Sequence, residues 1–276
     1  MDDISRSVVF LSQNLPVVEE MNGTPFEVWL KYPGTNLFIP KLKRISGSGL
    51  IVTSSNVCYL ITATHVATNM TEDCEITMRG DKREPLRFTL LSITGQPTIR
   101  WFHHPTADIS IHPLPTITSQ GITALSGRAM PLEFLESQTN LPSRDVYVTA
   151  LGFPLGLGAE GEFIPLSRDS KVSSGILSDG GGAFFLLQDP SVSGYSGGPV
   201  VQSGNPRVIA TSPSAESISV VSGGERCWGF VSGTFGDETG GKMTKTIPAA
   251  YAVELIQKAQ QELRIWPMST PSSEKK

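Results

Sequence analysis

The chain has 276 residues, 39 % of them hydrophobic and 17 % charged, with a formal net charge of −4. That length accommodates one large domain or two small ones with a buried core, and the composition excludes a disordered chain. Lys and Arg are scattered, grouped only at Lys41, Lys43 and Arg44, which excludes the dense basic face that nucleic acid or an anionic membrane would need.

The N-terminal stretch MDDISRSVVFLSQN opens with two acids and has no basic region leading into a long apolar run, so it predicts no secretory signal and a frayed end around Asp2 and Asp3. No stretch approaches the ~18 apolar residues of a membrane helix. Three cysteines, Cys58, Cys74 and Cys227, form no CxxC pair. They argue against a disulfide framework or a structural metal, predict small buried residues in strands, and suit a reducing cytoplasm. Neither a cofactor nor a metal is expected.

Further along, 27 Gly and 20 Pro punctuate short β-branched and aromatic runs. The predicted strands are Phe26–Tyr32, Gly49–Thr53, Val57–Ala63, Leu86–Ile93, Val146–Leu151, Phe184–Gln188, Val200–Gln202, Val208–Thr211 and Trp228–Thr234. Many short strands between turn signals describe a sandwich or barrel. Pro113 to Arg144 is richer in Pro, Ser and Thr, with one helical turn around Glu133–Ser137, and marks a boundary between two β-halves. From Pro248 the apolar residues Ala252, Leu255, Ile256, Ala259 and Leu263 follow the spacing of one helix face, with Pro248 in the first turn. The last residues are polar and predict a disordered tail.

The segment Gly194-Tyr195-Ser196-Gly197-Gly198-Pro199 carries the first chemical signal. A serine hydroxyl attacks only when a base takes its proton, and the oxyanion it creates needs fixed donors. Glycines around the serine allow a sharp turn, with the N–H groups of Ser196 and Gly194 as the candidate donors. A plain Gly-Ser turn would use the same letters. So would the nucleophile elbow of an α/β-hydrolase, but that fold needs a histidine after the serine. All four histidines, His65, His103, His104 and His112, precede Ser196. The subtilisin order needs an aspartate before the histidine, and only Asp2 and Asp3 precede His65. Histidine, aspartate, serine is the order that remains.

His65 ends the apolar run Leu60-Ile61-Thr62-Ala63-Thr64, where small neighbours leave room beside a reacting group. His103 and His104 lie in a Pro-bounded loop, and His112 reads as a solvated strand end before Pro113. Asp108 opens the alternating stretch Asp108-Ile109-Ser110-Ile111, which places its carboxylate at the head of a strand where it can orient the His65 ring. Asp189 reads as a loop-shaping residue.

Together, TATHV around His65, ADISI around Asp108 and GYSGGPV around Ser196 resemble the three signature blocks of trypsin-like, chymotrypsin-fold serine proteases. Ala150–Gly156, followed by Lys171–Ser178, is similar to the HtrA/Deg branch. The resemblance covers residues 45–260. It implies an all-β fold of two six-stranded antiparallel barrels with a C-terminal helix. The first barrel, 1–125, would carry His65 and Asp108; the second, 126–247, would carry Ser196; the helix would span 248–264 and the disordered tail 265–276. The resemblance implies a serine endopeptidase acting on a protein or peptide, with no nucleic acid or membrane partner, and an activating partner or homo-oligomer as further options. A catalytically silent binding module and an esterase on the same fold are the competing readings.

The departures are specific. No PDZ domain follows the protease region, so regulation by one is not expected. Tyr195 stands where digestive relatives carry an aspartate that pairs with a newly cut N-terminus, and Gly233–Thr246 reads as an insertion. Pro190 occupies the position at the base of the family's primary specificity pocket, and Gly229, Phe230, Val231 and Ser232 would line one wall. A non-acidic base predicts small or apolar side chains there.

Overall fold

The computed structural model describes residues 2–265 except 22–23, 98, 116–117, 140, 143, 145, 181, 203–205, 211–217, 223–224, 237 and 239. The expected disordered tail lies outside them beyond residue 265.

Two large sheets carry the fold. The first runs in the order Phe102–His103, Ser110–Leu114, Val57–Thr62, Leu42–Ser54, Val8–Pro16, Glu75–Arg79, Pro85–Thr89, all antiparallel, and Met130–Pro131 joins Leu42–Ser54 in parallel. The second runs Leu166–Lys171, Tyr147–Gly152, Pro199–Gln202, Arg226–Gly236, Lys242–Pro248, Ala183–Leu187, Leu177–Ser178. The expected all-β architecture of two antiparallel sheets and a C-terminal helix is therefore present. The sheets have eight and seven strands, because short flanking pairs extend each one.

The N-terminus is not frayed. A short helix, Asp2–Ser7, leads into Val8–Pro16, an interior strand whose first five residues are buried. Val8 to Leu11 are all apolar, so both faces of the strand meet packed surfaces and no alternation betrays it. Leu86–Ile93 is not one strand: the chain leaves Pro85–Thr89 and enters the helix Leu90–Thr94. Thr89 and Ser92 form a reciprocal cap there, each side chain accepting from the other's backbone N–H at 3.1 Å. Such a cap satisfies orphan donors at a helix start and decides the boundary over strand propensity. Phe26–Tyr32 splits between two small hairpins, Val18–Met21 with Thr24–Glu27 and Trp29–Lys31 with Phe38–Pro40, which leave Trp29, Tyr32 and Phe38 more than half exposed. Gly233–Thr246 falls at the end of a long hairpin in which Arg226–Gly236 pairs with Lys242–Pro248.

The C-terminal helix, Ala250–Ile265, buries Ala252, Leu255, Ile256 and Ala259, as its spacing predicts, while the side chain of Leu263 lies outside the described residues. Pro248 ends the preceding strand opposite Gly229 and does not enter the helix. The helix returns to the first sheet: Arg100 pairs with Glu262 at 2.5 Å, and Gln260 Nε2 donates to Ser54 Oγ at 2.9 Å. One hydrophobic core draws on both sheets and this helix, from Val8, Phe10 and Leu50 to Phe153, Phe230 and Ile256. Two sheets that share a core cannot drift apart without exposing it, so loops facing each other across their junction hold a fixed relation.

Candidate active site

His65 sits in the single helical turn Thr64–Ala67 that follows the strand Val57–Thr62. Asp108 lies two residues ahead of the strand Ser110–Leu114, which pairs with Val57–Thr62. Adjacent strands thus deliver both side chains to the same end of the first sheet. His65 Nδ1 is 2.8 Å from Asp108 Oδ2, and the His65 backbone N–H donates to Asp108 Oδ1 at 3.0 Å. One carboxylate therefore fixes both the ring and the backbone of the histidine. Nδ1–H donating to the carboxylate leaves Nε2 as the free basic nitrogen.

Ser232, from the long strand of the second sheet, completes the carboxylate's shell by donating its hydroxyl to Asp108 Oδ2 at 2.6 Å. Burial pushes the Asp108 carboxyl up, but the hydrogen bonds from His65 and Ser232 and the His65 charge outweigh it and hold the group below the ordinary range. Sequence reading assigned Ser232 only to a pocket wall. A lone serine in a strand carries no signal that its hydroxyl spans two sheets to a carboxylate 124 residues away.

The loop of Ser196 can be accounted for bond by bond. The Ser193 carbonyl accepts from Leu155 N–H at 2.8 Å, and the Gly194 carbonyl from the Ser48 hydroxyl at 2.7 Å. The Tyr195 carbonyl accepts from Gly198 N–H at 2.8 Å, and the Ser196 carbonyl from Ser48 N–H at 2.8 Å. Among the N–H groups of residues 194–198, those of Tyr195, Gly197 and Gly198 donate to Val192, Val231 and Tyr195 carbonyls. The N–H groups of Gly194 and Ser196 donate to no acceptor among the described residues, and they are the two proposed from the sequence. Because a trans peptide directs its C=O and N–H oppositely, the Leu155 bond to the Ser193 carbonyl turns the Gly194 N–H away from the 153–156 loop.

Glycine is required at 194. Its φ is +102°, and a Cβ would collide with the Phe153 carbonyl oxygen. Tyr195, in place of an acid, is buried against Gly152 and belongs to the second sheet's own core.

The Ser196 hydroxyl donates to the Ser232 carbonyl at 3.3 Å and not to His65. The chain His65–Asp108–Ser232–Ser196 is thus continuous, with one direct link, serine to imidazole, unmade.

Of the expected pocket residues, Phe230 and Val231 have buried side chains, each only 1 % exposed. Val231 acts through its backbone, accepting from Gly197 N–H and donating to the Gly198 carbonyl. At Gly229 a Cβ would collide with the Ile247 carbonyl, and Pro190 is half-buried beside Asp189, whose carbonyl accepts from the Thr244 N–H and hydroxyl. The loop-shaping role expected of Asp189 is exercised by its backbone.

The other histidines lie away from this chemistry, each for its own reason. His112 is not a solvated strand end. It is 3 % exposed inside Ser110–Leu114, its Nδ1–H donating to the Arg100 carbonyl at 3.0 Å, and burial pushes its pKa down to about 4. His104 packs against Tyr251 in a tilted contact with ring centroids 4.4 Å apart. His103 is exposed in the edge strand Phe102–His103, not in a loop, and its Nδ1 lies 2.7 Å from Ser110 Oγ. Cys74 and Cys227 are free thiols pushed up to about 12 by burial, which makes them poor nucleophiles. No group of His, Cys, Asp and Glu among the described residues could hold a metal ion, and no described helix is long and apolar enough to cross a membrane.

No family model and no curated protein matches the chain. Solved structures do. The HtrA-type protease AlgW with a decapeptide superposes with a TM-score of 0.54 at 15 % identity, over 94 % of this chain and 66 % of that one. A variant of AlgW with a tripeptide gives 0.51 at 14 % identity, over 93 % and 61 %. The chain thus spans less than two thirds of the length of either structure. At these identities the likeness establishes the fold, which is trypsin-like.

Proposed function

We propose that the chain is a serine endopeptidase that hydrolyses peptide bonds through an acyl-enzyme, with Ser196 as nucleophile, His65 as base and Asp108 as the group that orients it. The observation that carries this reading is the hydrogen-bond account of the 193–198 loop. Every carbonyl from 193 to 196 is held, and within residues 194–198 the N–H groups without an acceptor among the described residues are those of the nucleophile and of Gly194. Preorganised donors of this kind stabilise developing negative charge without reorganisation.

In the reaction the Ser196 hydroxyl leaves the Ser232 carbonyl and turns to His65 Nε2, which takes its proton as Oγ adds to the scissile carbonyl carbon. The N–H groups of Gly194 and Ser196 receive the oxyanion. His65 then gives the proton to the leaving amine, and water repeats the sequence on the ester. Asp108, kept ionised, stabilises the imidazolium at each stage. The base works only when neutral, so the rate falls on acidification. The substrate is a protein or peptide, accepted with small or apolar side chains over Pro190, and the compartment is a reducing one such as the cytoplasm. No cofactor is invoked.

The hydroxyl's position on Ser232 favours one second reading, a module that is silent until an activating partner or a further copy reorganises the site. A fluorophosphonate probe separates the two. Its phosphorus bonds to Ser196 Oγ as fluoride leaves and the hydroxyl proton passes to His65. Labelling that disappears in Ser196→Ala, with casein cleaved by the wild type, supports the endopeptidase. Absence of labelling under every condition, peptide partners included, refutes it. Hydrolysis of small esters without any casein cleavage would point instead to an esterase.

A further inference from the structure

We infer that Ser48, a residue of the first sheet, is the positioning residue for the oxyanion donors of the second. The inference rests on the catalytic reading above. Ser48 is fully buried in the strand Leu42–Ser54, and all of its polar atoms are engaged. Its N–H donates to the Ser196 carbonyl at 2.8 Å. Its hydroxyl donates to the Gly194 carbonyl at 2.7 Å and accepts from Phe153 N–H at 2.9 Å. Its own carbonyl accepts from the Thr62 hydroxyl at 2.7 Å, and Thr62 ends the strand that leads to His65.

Two peptide planes are thereby set from across the junction. The Gly194 carbonyl bond fixes the orientation of the 194–195 peptide, and the Ser196 carbonyl bond fixes the 196–197 peptide. Between them lies the Ser196 N–H, and just before them the Gly194 N–H. The Phe153 N–H held by the same hydroxyl begins the 153–156 turn, whose Leu155 N–H secures the Ser193 carbonyl. One hydroxyl therefore anchors the loop on both sides of Gly194. No room exists for slack: a Cβ at Gly197 would strike Thr62 Oγ1 and the Ser48 carbonyl, and one at Gly152 would press on Ser48 Oγ. Without the hydroxyl, the Phe153 N–H loses its acceptor and the Gly194 carbonyl its donor in a buried site, and the 193–194 peptide is free to turn its N–H out of line.

Ser48→Ala and Ser48→Cys test this in the full chain. The cysteine keeps the side chain's size and offers only a weak donor. We expect fluorophosphonate labelling of Ser196 to slow about 10-fold or more in Ser48→Ala, less than the 10²–10³ of deleting an oxyanion donor outright, with Ser48→Cys between the wild type and Ser48→Ala. For a casein-derived peptide kcat should fall while KM stays within about twofold, the signature of an interaction used only in the transition state. Merely structural damage would lower the melting temperature without that split. Hydrogen exchange supplies a readout that needs no activity. The Phe153 amide should exchange at least 10-fold faster in Ser48→Ala. Unchanged Phe153 protection overturns the proposal whatever the activity, as do wild-type labelling rates in both variants. A wild type that never labels refutes the endopeptidase reading separately, leaving exchange to decide the bond network.

Discussion

The two sheets contribute unequally to the site. The first supplies an imidazole and a carboxylate already paired from adjacent strands, His65 and Asp108 joined by two bonds of 2.8 and 3.0 Å. The second supplies a loop whose backbone is fixed but whose Ser196 hydroxyl rests on the Ser232 carbonyl. Each sheet also holds a piece of the other: Ser232 reaches into the carboxylate of the first, and Ser48 grips the carbonyls of the second. The contrast teaches which parts are held and which are not: the backbone around Ser196 is fixed from both sheets, while the link between its hydroxyl and His65 is left open, and under the proposed mechanism the fixed part is the one whose reorganisation would be costly.

That contrast can be broken in order of severity. Ser196→Ala should lower kcat by on the order of 10⁶, as loss of a triad nucleophile does, and abolish fluorophosphonate labelling. Residual casein cleavage near the wild-type rate would remove Ser196 from the chemistry. Asp108→Asn should keep the fold and lose about 10⁴ in kcat, because the ring then takes the wrong tautomer; near-normal turnover in a folded variant would refute the orienting role. Gly194→Ala forces a side chain into a φ of +102° against the Phe153 carbonyl, and should cost about 10²–10³ in kcat as the donor is displaced. An unchanged kcat would show that this N–H receives no oxyanion. Ser232→Ala keeps the carbonyl that receives Ser196 but removes a donor to Asp108, so about a 10-fold loss is expected, with the Asp108 carboxyl moving up toward its ordinary value. A carboxyl that does not move on titration would deny the coupling.

A separate effect is on stability rather than turnover, and it belongs to the first sheet alone. His112 is buried and neutral, with its pKa pushed down to about 4. Below its unfolded value of about 6.5 the unfolded chain binds a proton that the folded chain refuses. Stability should therefore fall by a few kcal/mol as the pH drops from about 6.5 to about 4, and then change no further on this account. Denaturant titrations should show that slope flattened in His112→Gln; an identical slope in both proteins would exclude His112 as its source.

Much of this was legible in the residues. The apolar runs around Gly49–Thr53, Val57–Ala63 and Trp228–Thr234 became strands, and the spacing of Ala252, Leu255, Ile256 and Ala259 became a buried helix face. Chain order alone excluded two serine-hydrolase folds. The failures share a cause. Val8–Leu11 carries no strand signal because burial on both faces erases the alternation that marks a half-exposed strand, and His112 carries none of its burial because a lone histidine does not announce which side of a packed sheet it faces. Leu86–Ile93 divides into strand and helix because a two-residue cap outweighs strand propensity.

The sequence by itself determined the chemistry available: a hydroxyl framed by glycines, an imidazole after small residues and a carboxylate at a strand head. Tertiary structure alone decided who holds them. Ser48 and Ser232 are ordinary serines in ordinary strands, 148 and 36 residues from Ser196 by number. Their roles exist only because two sheets share a core and bring backbone carbonyls and a buried carboxylate within reach of their hydroxyls, and a hydrogen bond depends on distance in space rather than distance along the chain.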